Sequence, residues 1–242
     1  MGRIIFVIAA ALLLSGCGAA SEREIVAVGP MVSQSHRSAD FNIRALDIDG
    51  LFDVTWQQSD DYYIKIEVQQ NLTDVLEWAI TEAGTLTVRF SQNVTVGNRA
   101  YTPRVYVSSP YLTAAHFGGA VSASGWDTVR AHEFSVSVSG ASSAYIDLEI
   151  ESLTVDADGA GRLVFTGSST IASITAAGAV SVLADGLQVK DARIYATDTA
   201  SVSVAASEHL DVQISSAAFV RYAGDPEVRS NISGAGSLSR IE

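Results

Sequence analysis

Asp156 and Asp158 are the two side chains whose types and spacing best suit paired acid–base chemistry in this chain. Residues two apart on one strand project from the same face, and their Cα atoms lie about 6.5 to 7 Å apart. That separation suits two cooperating carboxyl groups, or a hard cation held by carboxylate oxygens. In the repeat described below, their neighbours on adjacent strands carry no charge that could stabilise a reaction: Ser137, Ser139, Thr175 and Ala177. We therefore interpret the pair as a solvated acidic face, with a weak cation site as the alternative.

Histidines and known enzyme motifs offer little further chemistry. The chain has four histidines without metal-ligand spacing or clustering: His36, His116, His132 and His209. It contains no G-x-S-x-G nucleophile motif, no second cysteine and no calcium-binding nonapeptide. The sequence therefore predicts no cofactor, no resident metal and no enzymatic activity.

The N-terminus is typical of an exported protein. Arg3 precedes an apolar run over residues 4–14, which is too short to span a bilayer. The run ends in Leu14-Ser15-Gly16-Cys17, which resembles a bacterial lipobox, and the resemblance implies a diacylglycerol on the thiol of Cys17. Cys17 is the only cysteine, so an intramolecular disulfide is excluded. The alternative is an ordinary secretory signal with an incidental cysteine, or a buried core strand.

These features divide the chain into three predicted segments. They are a lipoprotein signal peptide over residues 1–16, a lipidated N-terminus with a flexible tether over residues 17–38, and a folded domain over residues 39–242. Gly18, rather than an aspartate, follows the cysteine, which favours the outer membrane of a bacterial cell envelope. The predicted contact with the membrane is therefore the N-terminal lipid alone.

The charge balance narrows the possible partners. Fifteen basic residues against 27 acidic residues give a net charge of −12, which would repel phosphates, so we expect no nucleic-acid partner. An apolar fraction of 48% in 242 residues suffices for a substantial core, and the abundance of Ser, Thr, Val, Ala and Gly favours strands.

A repeat dominates the second half of the sequence. A Gly-Ala signature, or a degenerate form of it, recurs every 18 to 21 residues from seven starting positions: Gly119, Gly140, Gly159, Gly178, Asp198, Ser216 and Gly234. Counting back from the last six of these, positions −6, −4 and −2 are apolar in 17 of 18 cases, and the interleaved positions are almost entirely polar. This period-2 alternation predicts strands with one face in a core and the other in water.

Short strands turned by small residues every 18 to 21 positions predict an all-β fold, a single-stranded parallel β-helix with equivalent positions stacked about 4.8 Å apart. We expect a right-handed coil. Glycine at the corners would adopt positive φ, so Asp198 and Ser216 predict two corners of different shape. On the outer face, a column of opposite charges is predicted along successive rungs, comprising Arg193, Asp211 and Arg229.

Between residues 39 and 115 the repeat blurs, although strand signals persist. We expect the opening rungs here, covered by one helical turn over residues 70–76 that Asn71 or Thr73 would cap. Aromatic side chains could stack on sugars if exposed, but core or capping roles are favoured for all of them: Trp56, Trp78, Trp126, Tyr62 and Tyr63.

The order and spacing of several short motifs resemble the auto-transporter adhesin head GIN domain family over residues 41 to 242. The motifs are Phe52-Asp53-Val54, Gln70-Asn71-Leu72, Gly84-Thr85-Leu86, Ser109-Pro110-Tyr111-Leu112, Ser139-Gly140-Ala141, Tyr222-Ala223-Gly224-Asp225-Pro226 and Ser233-Gly234-Ala235-Gly236. The resemblance implies an exported bacterial protein, often a lipoprotein, with a β-helical fold and no established activity. It supplies no catalytic residues.

These observations favour a non-catalytic, lipid-anchored cell-envelope protein. Its small, polar outer face would act as an adhesin-like binding scaffold for glycans or for an envelope protein partner, because a stiff stack displays polar groups in register. Two alternatives stay open: a polysaccharide-active enzyme with its site in the loops of residues 91–103, and a mechanical envelope spacer without a ligand.

Overall fold

A computed structural model describes residues 23–38, 41–92, 94–97 and 101–241, and this part of the chain is nearly all β-structure. The predicted lipidation site, Cys17, lies outside it. The first eleven strands are β1 (Arg23–Val26), β2 (Met31–Arg37), β3 (Ala45–Gly50), β4 (Asp53–Gln58), β5 (Tyr63–Gln69), β6 (Leu76–Ile80), β7 (Thr85–Phe90), β8 (Val94–Gly97), β9 (Arg104–Ser109), β10 (Ala114–Gly119) and β11 (Ser122–Ala123). The remaining eight are β12 (Val129–Val138), β13 (Ser143–Ala157), β14 (Arg162–Ala176), β15 (Ser181–Ala196), β16 (Ser201–Ile214), β17 (Phe219–Ala223), β18 (Glu227–Ile232) and β19 (Ser237–Arg240).

The strands wind into a β-solenoid of about seven turns, or rungs, which confirms the predicted parallel β-helix. One sheet runs in the order β2-β5-β9-β4-β11-β13-β14-β15-β16-β17-β19. The other runs in the order β6-β7-β3-β10-β12-β13-β14-β15-β16-β18. The long strands β13 to β16 belong to both runs of strands: β13 pairs first with β11 and then with β12, and β16 pairs first with β17 and then with β18.

A buried column of branched side chains runs along the axis of the solenoid. Its members stand opposite one another on five successive strands: Val136, Val155, Ile174, Ile194 and Val212. All five are buried, as the period-2 pattern predicted. Parallel pairing in register places like residues against like residues, so each rung extends the same hydrophobic face.

The corners between rungs require a left-handed backbone. Gly159 has φ of 108°, and a Cβ at this position would lie only 2.4 Å from the carbonyl oxygen of Gly140 on the rung below. Asp198 and Ser216 adopt φ of 57° and 61°, so the predicted change of corner shape is not found. The Asp198 carboxylate accepts a hydrogen bond from the backbone N–H of Gly178 at 3.1 Å, which helps it to hold this conformation.

The structure corrects the predicted tether, because residues 23–37 contain two strands of the fold. β1 pairs in parallel with β8, and β2 lies antiparallel to β5 at the edge of the first sheet. Asn71 fastens the chain between these two strands: its amide donates to the carbonyl of Val26 at 2.8 Å and accepts from the N–H of Val28 at 2.9 Å. Because β2 lies at an edge of the sheet and faces water, its sequence is polar, and the apolar alternation that predicted the other strands is missing from it.

The opening of the solenoid also differs from plain rungs. β5 is antiparallel to both β2 and β9, and β6 is antiparallel to β7. The predicted helical turn is present as a 3₁₀ turn over Gln70–Leu72, with Leu72 buried beneath it. Asn71 does not cap this turn: the N-cap is Gln69, which makes no side-chain capping bond. Thr73 is the C-cap, and its hydroxyl donates to the carbonyl of Gln70. In the described part of the chain, no helix could span a bilayer.

Removing side-chain volume from the buried column should destabilise the fold strongly. We expect Ile174→Ala to lower the free energy of unfolding by about 2 to 5 kcal/mol, because the neighbouring rungs cannot close the cavity. Thr175→Ala, on the outward face of the same strand, should cost less than about 1 kcal/mol. Urea unfolding followed by tryptophan fluorescence would measure both variants, and equal losses would contradict the buried column.

Candidate functional site

A shallow cleft opens on the outer face of the first sheet, where β4, β9 and β5 lie side by side. Along most of these strands every second residue is buried and the others are turned towards solvent, whereas residues 107–109 at the end of β9 are all buried. The cleft has a volume of about 320 Å³, and we call it the tyrosine cleft. It is lined by Thr55, Gln57, Tyr63, Lys65, Tyr106, Val107 and Ser108.

The strand register arranges these residues in two rows across the sheet. In the first row, Tyr106 stands between Lys65 and Thr55. In the second row, Ser108 stands between its two partners, Tyr63 and Gln57. Each row therefore combines one tyrosine ring with neighbouring groups that donate and accept hydrogen bonds.

Lys65 gives the cleft a fixed positive charge. Its ammonium lies 2.6 Å from a carboxylate oxygen of Glu67 and 5.2 Å from the centre of the Tyr106 ring. The hydrogen bond to Glu67 raises the pKa of Lys65, so the group is charged at neutral pH. Arg104 lies 3.9 Å from the other oxygen of Glu67. Glu67 thus holds two cations at the margin of the cleft.

The ring of Tyr63 also has a cation beside it. The Arg37 guanidinium lies 5.5 Å from the centre of the Tyr63 ring, and its other contact is Asp61 at 3.8 Å. Ring faces and C–H groups attract one another, while amides, hydroxyls and an ammonium bond to oxygen. This combination can accommodate a flat, polyhydroxylated molecule such as a sugar.

Two tryptophans, the buried Trp56 and the half-buried Trp126, support the cleft rather than lining it. Trp56 is buried and donates its indole N–H to the Ser109 hydroxyl at 2.9 Å. Trp126 lies 6.0 Å from Trp56, ring centre to ring centre, and donates to the carbonyl of Val54 at 3.1 Å. The core role predicted for Trp56 is confirmed, and both rings fix the strand that carries Thr55.

Asp156 and Asp158, the predicted acidic pair, are both exposed. Asp156 stands between Ser137 and Thr175, as the repeat predicted. Within the residues that the structure describes, the pair is not part of any cluster of three potential metal ligands. The weak cation site stays a prediction.

A different carboxylate cluster, which the sequence analysis missed, surrounds His209. Its Nδ1 lies 2.6 Å from a carboxylate oxygen of Asp191, and Glu208 completes a group whose ligand atoms all lie within 4.8 Å of one another. Histidine with two carboxylates suits a transition metal. Lys190, however, lies 3.8 Å from Glu208 and would compete with a cation for that carboxylate. His209 follows Asp191 by 18 residues, so the rung period was the available signal.

The predicted column of opposite charges has the expected register. Asp211 stands opposite Arg193 on one side and Arg229 on the other. Arg229 nevertheless donates to Glu227, two residues away on its own strand, at 3.0 Å. Because these charges are exposed, they contribute little to the free energy of unfolding, and their main effect is the alternating charge pattern of the outer face.

Asp147 fastens successive rungs together on the outer face. Its carboxylate accepts hydrogen bonds from the hydroxyls of Thr128 at 2.6 Å and Thr166 at 2.8 Å. These two bonds lower the pKa of Asp147, the bond from Thr128 contributing most. The Asp147 side chain therefore has a structural role, in which it joins adjacent rungs.

The fold and the cleft define the class of this protein: a parallel β-solenoid with a shallow site on its outer face. The chain belongs to the family described as "Putative auto-transporter adhesin, head GIN domain", whose model matches residues 42–226. The family and the fold are therefore those that the sequence motifs indicated. No curated protein matched the chain.

Several solved structures share this fold. A "putative adhesin" from Bacteroides fragilis has a TM-score of 0.79 and 19% identity, over 90% of this chain and 100% of that chain. A "putative adhesin" from Parabacteroides merdae has a TM-score of 0.72 and 19% identity, over 90% and 99%. A "putative lipid binding protein" from Parabacteroides distasonis has a TM-score of 0.72 and 20% identity, over 91% and 100%. At these identities the likeness establishes the fold alone.

The Asp147 bonds predict an acid-sensitive contribution to stability. Because the pKa of Asp147 is lowered in the folded state, its contribution is present above about pH 4 and is lost as the pH falls through the folded pKa. We expect Asp147→Asn to lower the free energy of unfolding by about 1 kcal/mol at pH 7. Urea titrations at pH 7 and pH 3 should show a smaller difference from the wild type at pH 3. A difference of the same size at both pH values would contradict the assignment.

Proposed function

We propose that this chain is a non-catalytic, adhesin-like module of the bacterial cell envelope that binds glycans through the tyrosine cleft and is anchored by a lipid on Cys17. The observation that carries the proposal is the cleft itself, in which Tyr63 and Tyr106 lie beside a charged lysine on an open face. Membership of an adhesin-like family supports it.

The chemistry of the cleft matches that of a sugar ring. A pyranose presents a flat C–H face, which packs on an aromatic ring, and a rim of hydroxyls, which need donors and acceptors. Tyr106 would supply the packing surface. Gln57 and the Lys65 ammonium would bond to the hydroxyls, or to a carboxylate if the sugar is acidic.

A cleft this shallow would bind a single glycan weakly, because it buries only part of a sugar. Anchoring of many copies on one membrane would raise the apparent affinity. Many copies held on one surface can bind a repeating glycan together, and such avidity can exceed the single-site affinity by about 10² to 10⁴. Lipid attachment and glycan binding thus support each other in this proposal.

The proposed anchor depends on the lipobox and on the placement of Cys17, the only cysteine. Each buried methylene of an acyl chain contributes about 0.8 kcal/mol, so two or more chains hold a soluble domain on a bilayer without a membrane-spanning helix. The outer membrane is the proposed location, because Gly18 follows the cysteine.

Removing one cleft ring should weaken glycan binding. We expect Tyr106→Ala, displayed in multivalent form on a glycan array, to lose about tenfold in apparent affinity, since one packing surface is removed. Tyr145→Ala is the matched control, because Tyr145 is an exposed tyrosine on β13 outside the cleft. Equal losses for the two variants, or no glycan binding by the wild type, would contradict the proposal.

The multivalent protein used for the glycan array can also be tested for the two other candidate functions, binding of an envelope protein and enzymatic activity. Capture of an envelope protein without glycan binding would favour a protein partner instead. Turnover of an anionic polysaccharide that Asp156→Ala or Asp158→Ala abolishes would show an enzyme, against the proposal of a non-catalytic module.

The anchor has a test of its own. We expect Cys17→Ser to abolish labelling by radioactive palmitate and to release the protein from the membrane fraction, because the thiol is the proposed acylation site. Tyr106→Ala should remain labelled and membrane-bound. Unchanged membrane retention of Cys17→Ser would count against the lipid anchor.

A further inference from the structure

The two ends of the solenoid are built differently. At the N-terminal end, the antiparallel strands β2 and β6 complete the sheets, and their side chains pack on the core or face water. At the other end, β18 pairs with β16 along one side only, and no described strand pairs with its second side. We call this second side the free edge of β18.

The free edge exposes residues that belong to the core of the repeat. Val228 and Ile232 are 36% and 43% exposed, whereas their counterparts one rung earlier, Leu210 and Ile214, are 1% and 2% exposed. The difference arises because no further strand covers them. An additional strand at this edge would restore the burial that every earlier rung has.

The backbone of β18 is prepared for such a strand. The N–H of Ser233 donates to the carbonyl of Ile214 at 2.8 Å, and residues of a parallel strand point alternately to its two sides. Val228, Ser230 and Ile232 therefore direct their N–H and C=O groups away from β16, towards the free edge. An extended peptide could pair with all three.

The outward charges favour a peptide of alternating sign, although Arg229 and Glu227 already form an ion pair within β18 at 3.0 Å. Along the solenoid, Arg193 is followed by Asp211 and then by Arg229, so an acidic residue is next in the alternation. The neighbouring column has Asp191, His209 and then Glu227, so a basic residue is next there. Apolar residues would cover Val228 and Ile232.

Overall charge also favours contact at this end. The whole chain has a net charge of −12, but residues 219–241 contain three arginines and two acidic residues. An approaching acidic side chain is therefore repelled less here than elsewhere on the surface.

We infer that the free edge of β18 is a docking site for an extended segment of a partner protein, which adds as a parallel strand. The six residues of that segment opposite residues 227–232 would be, in order, basic, apolar, acidic, small, polar and apolar. The occupant is thus a peptide strand recognised by main-chain hydrogen bonds and by alternating charge. This site is distinct from the tyrosine cleft, which lies on β4, β5 and β9.

The chain itself supplies a probe for this site. Residues 209–214, in β16, match the inferred pattern except at Val212, which stands where the pattern has a small residue, and they already pair with β18 on its other side. A labelled peptide with the sequence of residues 207–216 should bind the full-length protein saturably in fluorescence anisotropy. The same peptide with Asp211→Arg would place two arginines opposite each other, and it should bind at least tenfold more weakly. Arg229→Asp in the protein should restore binding of that altered peptide.

Two further variants locate the contact. Ile232→Lys should abolish binding, because it places a charge under the added strand. Ile171→Lys should have no effect, because Ile171 is an isoleucine of similar exposure (45%) on the outer face of β14, away from the edge. Circular dichroism would check that both variants are folded, and folding is expected because both side chains are already exposed.

Disulfide trapping tests the register. Val212 and Ser230 are partners in the native pairing. A peptide with Val212→Cys should therefore cross-link to protein with Ser230→Cys, in a Cys17→Ser background, and should not cross-link to Arg229→Cys, which faces outward.

The inference is overturned by any of three results: no saturable peptide binding, equal binding of the Asp211→Arg peptide, or cross-linking at position 229 in place of 230. A concentration-dependent dimer of the protein that Ile232→Lys dissociates and Ile171→Lys does not would also overturn it, since it would assign the edge to a second copy. None of these outcomes bears on glycan binding by the tyrosine cleft.

Discussion

Parallel pairing in register, with local shifts between β14, β15 and β16, is the constraint on which the rest of this structure depends. It places each inward side chain directly over its counterpart, so that a single position, such as that of Ile174, must suit both neighbouring rungs. It also brings the corners within a strand spacing of one another, which leaves no room for a Cβ at Gly159. Core, corners and the charge pattern of the outer face all repeat for this one reason.

The sequence predicted the second half of the fold because this constraint leaves a period in the residues. From β12 onward, alternation and spacing identified strands, buried positions and cross-strand neighbours. In the first half, the strand signals over residues 52–56, 63–68, 86–90 and 104–107 matched β4, β5, β7 and β9. Strand β2 and the antiparallel pairing escaped prediction, because antiparallel strands such as β2 and β5 repeat nothing from rung to rung. Asp198 and Ser216 show a further limit, since the surrounding backbone imposes the left-handed corner whichever residue occupies it.

The tyrosine cleft could not have been found from the sequence. Tyr63 and Tyr106 are 43 positions apart and approach only because β5 folds back against β9. The contacts of His209 with Asp191 and of His132 with Glu151 are different, because each joins residues 18 or 19 positions apart. Applying the rung period to polar residues, and not only to apolar ones, would have predicted both.

The first strand of the fold, β1, begins only a few residues after Cys17, and this short distance determines which end of the protein would lie near a membrane. Only six peptide units separate Cys17 from Arg23, the first residue of β1, so a lipid on Cys17 could lie no more than about 22 Å from that strand. β1 lies at the same end as β2, and ten strand intervals of about 4.8 Å separate β2 from β19. A lipid on Cys17 would therefore place the bilayer near the β2 end of the sheet, and β19 would lie roughly 50 Å further along it.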